Sequence, residues 1–461
     1  MLQLSFAAEK ESGPLYDQLY RAIVEQIREG QLKPGERLPG KRSLASSLAV
    51  SVNTVDTAYQ LLVAEGYLEA RPRSGFFVQQ YQGPKAALPH HAPEPTAVTN
   101  PTYSYDLSTG AIDTSLFPFR TWSRIQKELL YSQPQLLNRG DPQGDADLRA
   151  AIADYLRAYR AVDCQPDQIV VGAGVEYLLG LLAHLVEGPA AVEDPGYQRP
   201  QRILQNSGIP CIPLPIDAMG LNTDALYQTD AKMVYVTPSH QFPTGVVMPA
   251  GRRAELVQWA MSRPGRYIIE DDYDSEFRFE LRPLPSLQGM AGSTGPVVYL
   301  STFSRSLAPS IRIACMVLPR SLLPRFQRDF GFYSSTVSRF EQQTLRIFLQ
   351  EGHFTRHLAR CRNQYRGRMQ LLTRSLEQTF GPDALHFSGQ HTGLHLLLQI
   401  KNGPGEAALL SRARQAGINL TGLSEYCTAA DCPPNTLVAG YGGLHTEQIE
   451  PLAALLAELW H

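Results

Sequence analysis

Charge is sparse in this chain: only 19% of its 461 residues are charged, and 42 Lys and Arg nearly balance 44 Asp and Glu. With a net charge of −2, any contact with nucleic acid has to come from a local basic surface rather than from the whole molecule. Long hydrophobic runs are also missing. No stretch approaches the ~18 consecutive apolar residues that would span a bilayer. The opening segment MLQLSFAAEKESGPLY has acidic and polar residues where a signal peptide carries basic and apolar ones, so a cytoplasmic protein is expected, with no membrane partner. Cysteine is scarce and scattered: Cys164, Cys211, Cys315, Cys361, Cys427 and Cys432 form no CxxC pair and no Cys/His zinc spacing, and no metal site is expected. They read as reduced core thiols. Cys427 and Cys432 bracket TAAD at a spacing that would suit a redox pair, but read as a loop coincidence.

What is present is organised in two unequal parts. Residues 84–104, PKAALPHHAPEPTAVTNPTYS, repeat proline and lose apolar periodicity, as an extended linker does. The expected division is a first domain over 1–80, a linker over 81–104 and a large domain over 105–461. In the first part Leu15, Leu19, Ile23 and Ile27 recur at helical spacing, and QLKPGERLP stops that helix. KRSLASSLA predicts a second helix. After a break at Val50 and Ser51, SVNTVDTAYQLLVAEGYL predicts a third, with Val55, Ala58, Tyr59, Leu62 and Val63 as its apolar stripe.

Two short helices joined by a tight turn, with small polar side chains leading the second, suit insertion into a major groove. Ser51, Asn53, Thr54 and Thr57 are the candidates there. YLEARPRSGFFV adds a basic turn between β-prone runs, a wing. Lys41, Arg42, Arg71 and Arg73 are candidate phosphate contacts, and the polar residues of the third helix can reach phosphates or base edges. Over residues 12–78 this series resembles the GntR-type winged helix-turn-helix domain. It departs at Gly40, where such proteins commonly have Ser after LP, and at Val52, where a basic residue is frequent. The resemblance implies operator DNA as a partner.

In the second part helical and strand-like segments alternate, so an α/β fold is expected. IVVGAGVEYLLGLL reads as strand, glycine turn and helix, and the amides of Gly172, Ala173, Gly174 and Val175 suit a phosphate at a helix N-terminus. A GxG of this kind also serves simple close packing. VEDPGYQRP sets Tyr197 after a Pro-Gly turn, with Arg199 two residues on. YIIEDDYDSEF ends an apolar strand in a carboxylate cluster; metal binding is the rival reading, but no His lies near it in sequence. YLSTFSRSLAPSIRIACMVLP carries Thr302, Ser304, Arg305 and Arg312.

From YDLSTGAIDTSLFPFRTW onward the chain resembles the aminotransferase-like half of the MocR-type regulators, with a fold-type-I pyridoxal 5'-phosphate (PLP) architecture. The resemblance implies a mixed, mostly parallel sheet with flanking helices and a smaller α+β subdomain. It implies that Tyr197 stacks on the cofactor ring, Asp271 pairs with the pyridine nitrogen, and Tyr273 lies near the ring oxygen. Thr302, Ser304 and Arg312 would surround the phosphate. Asp274 and Glu276 would be structural. Arg199 matches a position that can bind an effector carboxylate, and a surface salt bridge serves equally as its explanation. A homodimer is implied as well, since sites of this architecture lie between subunits.

Arg305 stands where the resemblance places the cofactor-binding lysine. Schiff-base chemistry needs an amine that can lose its proton, and a guanidinium keeps its proton at physiological pH. Lys232 and Lys401 lie outside the motif. Three explanations are open: non-covalent PLP, a different ligand, or an engineered Lys-to-Arg change. Arg139 in NRGDPQG stands for a usual tyrosine and would meet an anion, Phe242 in HQFPTG replaces a ring-oxygen donor, and LVAGYGGL lacks a second arginine clamp. The expected function is therefore a DNA-binding transcription regulator, not an enzyme. Its aminotransferase-like domain would sense PLP, pyridoxal or an amino compound without a Schiff base. The alternative is a PLP-dependent aminotransferase with an appended regulatory domain.

Overall fold

The computed structural model describes residues 13–81, 103–279, 284–381, 383–401, 403–429 and 432–460. Nearly all of the expected linker, 82–102, lies outside these residues. The chain divides into two compact units, Met1–Asn100 and Pro101–His461.

In the first unit, helices α1 (Leu15–Arg28), α2 (Lys41–Leu48) and α3 (Val52–Ala64) precede an antiparallel hairpin of β1 (Leu68–Arg71) and β2 (Gly75–Val78). Leu19, Ile23 and Ile27 of α1 meet Val55, Ala58, Tyr59 and Leu62 of α3 in one core. Leu15, expected in the same stripe, is 47% exposed, and Val24 is buried instead. The reason is geometric: each i+4 step drifts about 40° around a helix, so a row of four turns away from the core at one end. Val63 is likewise only partly buried at the core's edge. Ala49, in left-handed backbone at φ 52°, ends α2 with its N–H on the Ala45 carbonyl. Ser51 then caps α3 by accepting from the Thr54 amide at 3.0 Å. A helix-turn-helix so tight needs this pair of stop and start signals.

The second unit is built on an eight-stranded sheet in the order 169–172, 314–317, 297–302, 267–272, 233–236, 190–194, 211–217, 220–221. The run from 297–302 to 211–217 is parallel, and strand Ala314–Val317 opposes both of its neighbours. Its strands are apolar on both faces, as burial between helix layers requires; Val170, Val298, Leu300 and Met316 pack against Leu178 and Leu182 of helix Val175–Leu185. A smaller antiparallel sheet of 385–388, 395–400, 436–440 and 421–422 is covered by helices His353–Phe380 and Thr446–Trp460. The fold expected from the resemblance is thus present. Where parallel strands end, their following loops converge, and that edge is where ligands bind in open α/β sheets.

The cysteines need one correction. Cys164, Cys315 and Cys361 are buried thiols and Cys211 is half-buried, but Cys427 and Cys432 are joined as a disulfide. Their Cα atoms lie 6.6 Å apart, in place of the loop coincidence expected from the sequence.

Candidate functional site

A cavity of about 670 Å3 opens at the carboxyl edge of the parallel strands. Ten of the residues singled out from the sequence line it: Val175, Tyr197, Arg199, Phe242, Asp271, Tyr273, Thr302, Ser304, Arg305 and Arg312. Sheet register explains part of this convergence. Leu300 pairs with Asp271 and Ser301 with Asp272, so the motif after strand 297–302 emerges beside the carboxylate cluster.

The carboxylates have separate environments. Asp272 is pressed by burial towards its neutral form, but Arg160 at 2.6 Å and the Tyr299 hydroxyl at 2.5 Å hold it below the ordinary aspartate range. Asp271 has no such arginine. Burial pushes its carboxyl up to about 7, against the pull of a hydrogen bond donated by the Tyr235 hydroxyl. Oδ1 of Asp271 is buried with no hydrogen-bond partner, so a donor arriving in the cavity would meet a waiting acceptor. Glu193 is likewise raised by burial to about 7, and accepts from Thr237 at 2.8 Å.

Around these acids the cavity has an aromatic side. Tyr197 meets Phe242 edge-on at 5.3 Å between ring centres, and Phe242 meets Tyr426 at 5.0 Å. The Tyr273 hydroxyl is turned to His240, donating to its carbonyl at 3.0 Å, rather than into open space. His240 also approaches Asp274 at 2.9 Å. The absence of His near the EDDYD segment therefore holds only along the chain: in space His240 and His395 adjoin Asp274, and these three buried residues have possible ligand atoms within 4.8 Å of one another. Glu276 accepts from the Tyr155 hydroxyl at 2.9 Å.

Cationic groups lie at both ends. Arg305 reaches back to the Thr109 carbonyl. Arg312, in left-handed backbone at φ 53°, donates to the Ala173 carbonyl at 3.2 Å and pairs with Glu176 at 2.7 Å. Thr302 and Ser304 hydroxyls are 3.0 Å apart. The expected four-amide cradle is corrected: Ala173 N–H donates to Thr336, Gly174 N–H to the Gly172 carbonyl, and Gly172 belongs to the strand paired with Ala314. Of the four, only Val175 lines the cavity. Arg139 donates through one guanidinium nitrogen to the Phe332 and Tyr333 carbonyls at 2.6 and 3.1 Å. Neither Lys232 nor Lys401 lines the cavity. Glu176, Arg202 and Tyr426 also line the cavity without a sequence signal of their own, although Glu176 lies inside the motif IVVGAGVEYLLGLL.

On the first unit, the side chains expected at DNA differ in how they are engaged. Lys41 is ion-paired with Asp56 and lies over Phe76; Arg71 pairs with Glu69 at 2.8 Å and stacks over Phe77. Arg42 and Arg73 are exposed and form no ion pair among the described residues. Ser51 and Thr54 meet in the α3 cap, and the Thr57 hydroxyl donates to the Asn53 carbonyl at 2.9 Å, while the Asn53 side chain is exposed at the start of the helix.

Two family models match the chain: bacterial regulatory proteins of the gntR family over residues 15–78, and aminotransferase class I and II over residues 104–452. An uncharacterized HTH-type transcriptional regulator of Bacillus subtilis, YhdI, is 35% identical, the match covering 99% of this chain and 97% of the relative. The pyridoxine biosynthesis transcriptional regulator PdxR of Corynebacterium glutamicum is 34% identical over 95% and 94% of the two chains. Among solved structures, the α-aminoadipate aminotransferase LysN of Thermus thermophilus, complexed with N-(5'-phosphopyridoxyl)-L-leucine, superposes with a TM-score of 0.67 at 25% identity, covering 77% of this chain and 91% of that one.

Proposed function

The chain belongs to the MocR-type transcription regulators, which join a gntR-family helix-turn-helix to an aminotransferase class I and II domain, and from that premise we propose that its large domain senses a pyridine-ring phosphate without a covalent bond. The observation that supports this most is the convergence of Tyr197, Asp271, Thr302, Ser304 and Arg312 on one cavity that Arg305 also lines; on our reading Arg305 stands where the family's amine would. The PLP class fits the residues present. A buried carboxylate oxygen without a partner, at Asp271, suits a pyridinium N–H, and Thr302, Ser304 and Arg312 suit a phosphate. The name of the relative PdxR concerns pyridoxine biosynthesis, and LysN was solved with a phosphopyridoxyl group. Both favour this ligand class over an unrelated one.

Regulation then follows from linkage. The effector shifts the balance between two arrangements of a homodimer only by binding one of them better, and operator affinity follows that balance. The protein works in the cytoplasm. No helix among the described residues is long and apolar enough to cross a membrane.

The test is an absorbance titration with PLP, followed by borohydride reduction and denaturation. Saturable binding that washes away after reduction is the expected result. A permanently attached chromophore, or turnover of amino acids with added PLP that is lost in Asp271→Ala, would establish the aminotransferase alternative instead.

A further inference from the structure

Glu176 is the second residue of helix Val175–Leu185, and each oxygen of its carboxylate has a different arginine. Oε2 accepts from Arg312 at 2.7 Å, and Oε1 accepts from Arg199 at 3.0 Å. All three line the cavity. Arg312 lies so close over Gly174 that a Cβ there would overlap its guanidinium. The glycine, at φ 101°, thus both turns the chain into the helix and leaves room for the arginine to reach Glu176. Burial opposes the charge on Glu176, but the Arg312 and Arg199 hydrogen bonds outweigh it and keep the carboxyl below the ordinary glutamate range. At neutral pH the group is an anion held between two guanidinium groups in a cavity that Thr302 and Ser304 also line.

We propose that Glu176 is an internal occupant of the anion subsite, which a phosphate-bearing ligand enters by taking Arg312 from it while Arg199 retains the displaced carboxylate. This rests on the reading of the cavity as a site for a phosphorylated pyridine. Two consequences follow for selectivity. Arg199 anchors Glu176 and is not the receptor of an effector carboxylate. Ligands without a doubly charged group gain little at this subsite, because a weak anion does not compensate for the loss of the Glu176–Arg312 pair. The pair is partly exposed, with side-chain exposures of 47% and 36%, so the barrier it sets is modest and reversible.

The experiment compares the full chain with Glu176→Gln and Glu176→Ala, using PLP and pyridoxal as probes in equilibrium dialysis. Both variants should bind PLP about three- to tenfold more tightly, the scale of one or two partly exposed ion pairs, and leave pyridoxal affinity unchanged. Variants that bind PLP no better, or that tighten PLP and pyridoxal alike, overturn the proposal. If neither the parent nor the variants bind PLP, the sensing reading fails on its own. Inorganic phosphate then decides the present question by 31P line broadening: greater broadening with the variants supports Glu176 as the occupant, and equal broadening removes it. Circular dichroism shows whether each variant is folded, and the alanine variant carries the test should the glutamine variant not be.

Discussion

The guanidinium of Arg305 donates to the backbone carbonyl of Thr109, and both residues line the cavity. The contact gives Arg305 a backbone partner at the position where the resemblance expects an amine. A lysine at that position would present a compact ammonium on a flexible stem, able to lose its proton where a guanidinium does not. Arg305→Lys is therefore expected to acquire a visible band with PLP and, after borohydride, a phosphopyridoxyl mass on the peptide containing position 305. The parent should show no adduct on that peptide. An adduct of equal yield on the parent would remove the non-covalent reading.

Asp271 gives a prediction with two opposite signs. Its carboxyl is raised by burial from 3.8 in the free side chain to about 7 in the folded protein. Between those values the native state holds a proton that the unfolded chain has released, so this group makes stability fall as pH rises from about 4 to about 7. Asp271→Asn removes that dependence. Without ligand, the variant's Tm should exceed the parent's by a margin that widens across this window and levels off above it. The same change should weaken PLP binding, since the acceptor for a pyridinium is lost. A variant less stable than the parent at pH 8 would show that the Tyr235 bond matters more than desolvation.

The Tyr235–Asp271 bond also marks the limit of what could be read without coordinates. Asp271 was legible because it ends an apolar strand in a short carboxylate run, and Thr302, Ser304 and Arg312 because they flank a gap where a lysine is expected. The helix-turn-helix was legible from its apolar stripes and turn residues. What local pattern could not convey was competition for each polar group. Whether Ala173 gives its amide to an incoming anion or to Thr336 depends on a residue 163 positions away. His240 and His395 reach Asp274 from distant segments, and Glu176 becomes significant only when Arg199 and Arg312 arrive from elsewhere.

Ser51 offers a test of helix order apart from DNA chemistry. Its hydroxyl oxygen accepts from the Thr54 amide at the start of α3, so Ser51→Ala should cost about 1 kcal/mol of stability. Ser51→Asp, which retains an acceptor, should recover most of that loss in thermal melts. DNA affinity in the aspartate variant should still fall if this end of α3 meets phosphates as proposed, because a negative charge is added there.

Among the basic side chains, engagement predicts rank. Lys41 and Arg71 are held by Asp56 and Glu69, and each already stacks on a phenylalanine of the hairpin. A phosphate can recruit them only against those carboxylates. Arg42, on the exposed side of α2, and Arg73, at φ 62° in the turn of the wing, face no such competition from an ion pair among the described residues. Arg42→Ala and Arg73→Ala should each weaken binding to operator and random DNA alike, and each should lower the slope of log K against log salt by about 1. Lys41→Ala and Arg71→Ala should change the slope by less. Arg71→Ala should instead loosen the hairpin through lost packing on Phe77. Asp56→Asn and Glu69→Gln, which release the two cations, should strengthen non-specific binding and steepen its salt dependence. Equal slopes for all four alanine variants would show that the ion pairs dissolve at the DNA surface, and with them the ranking.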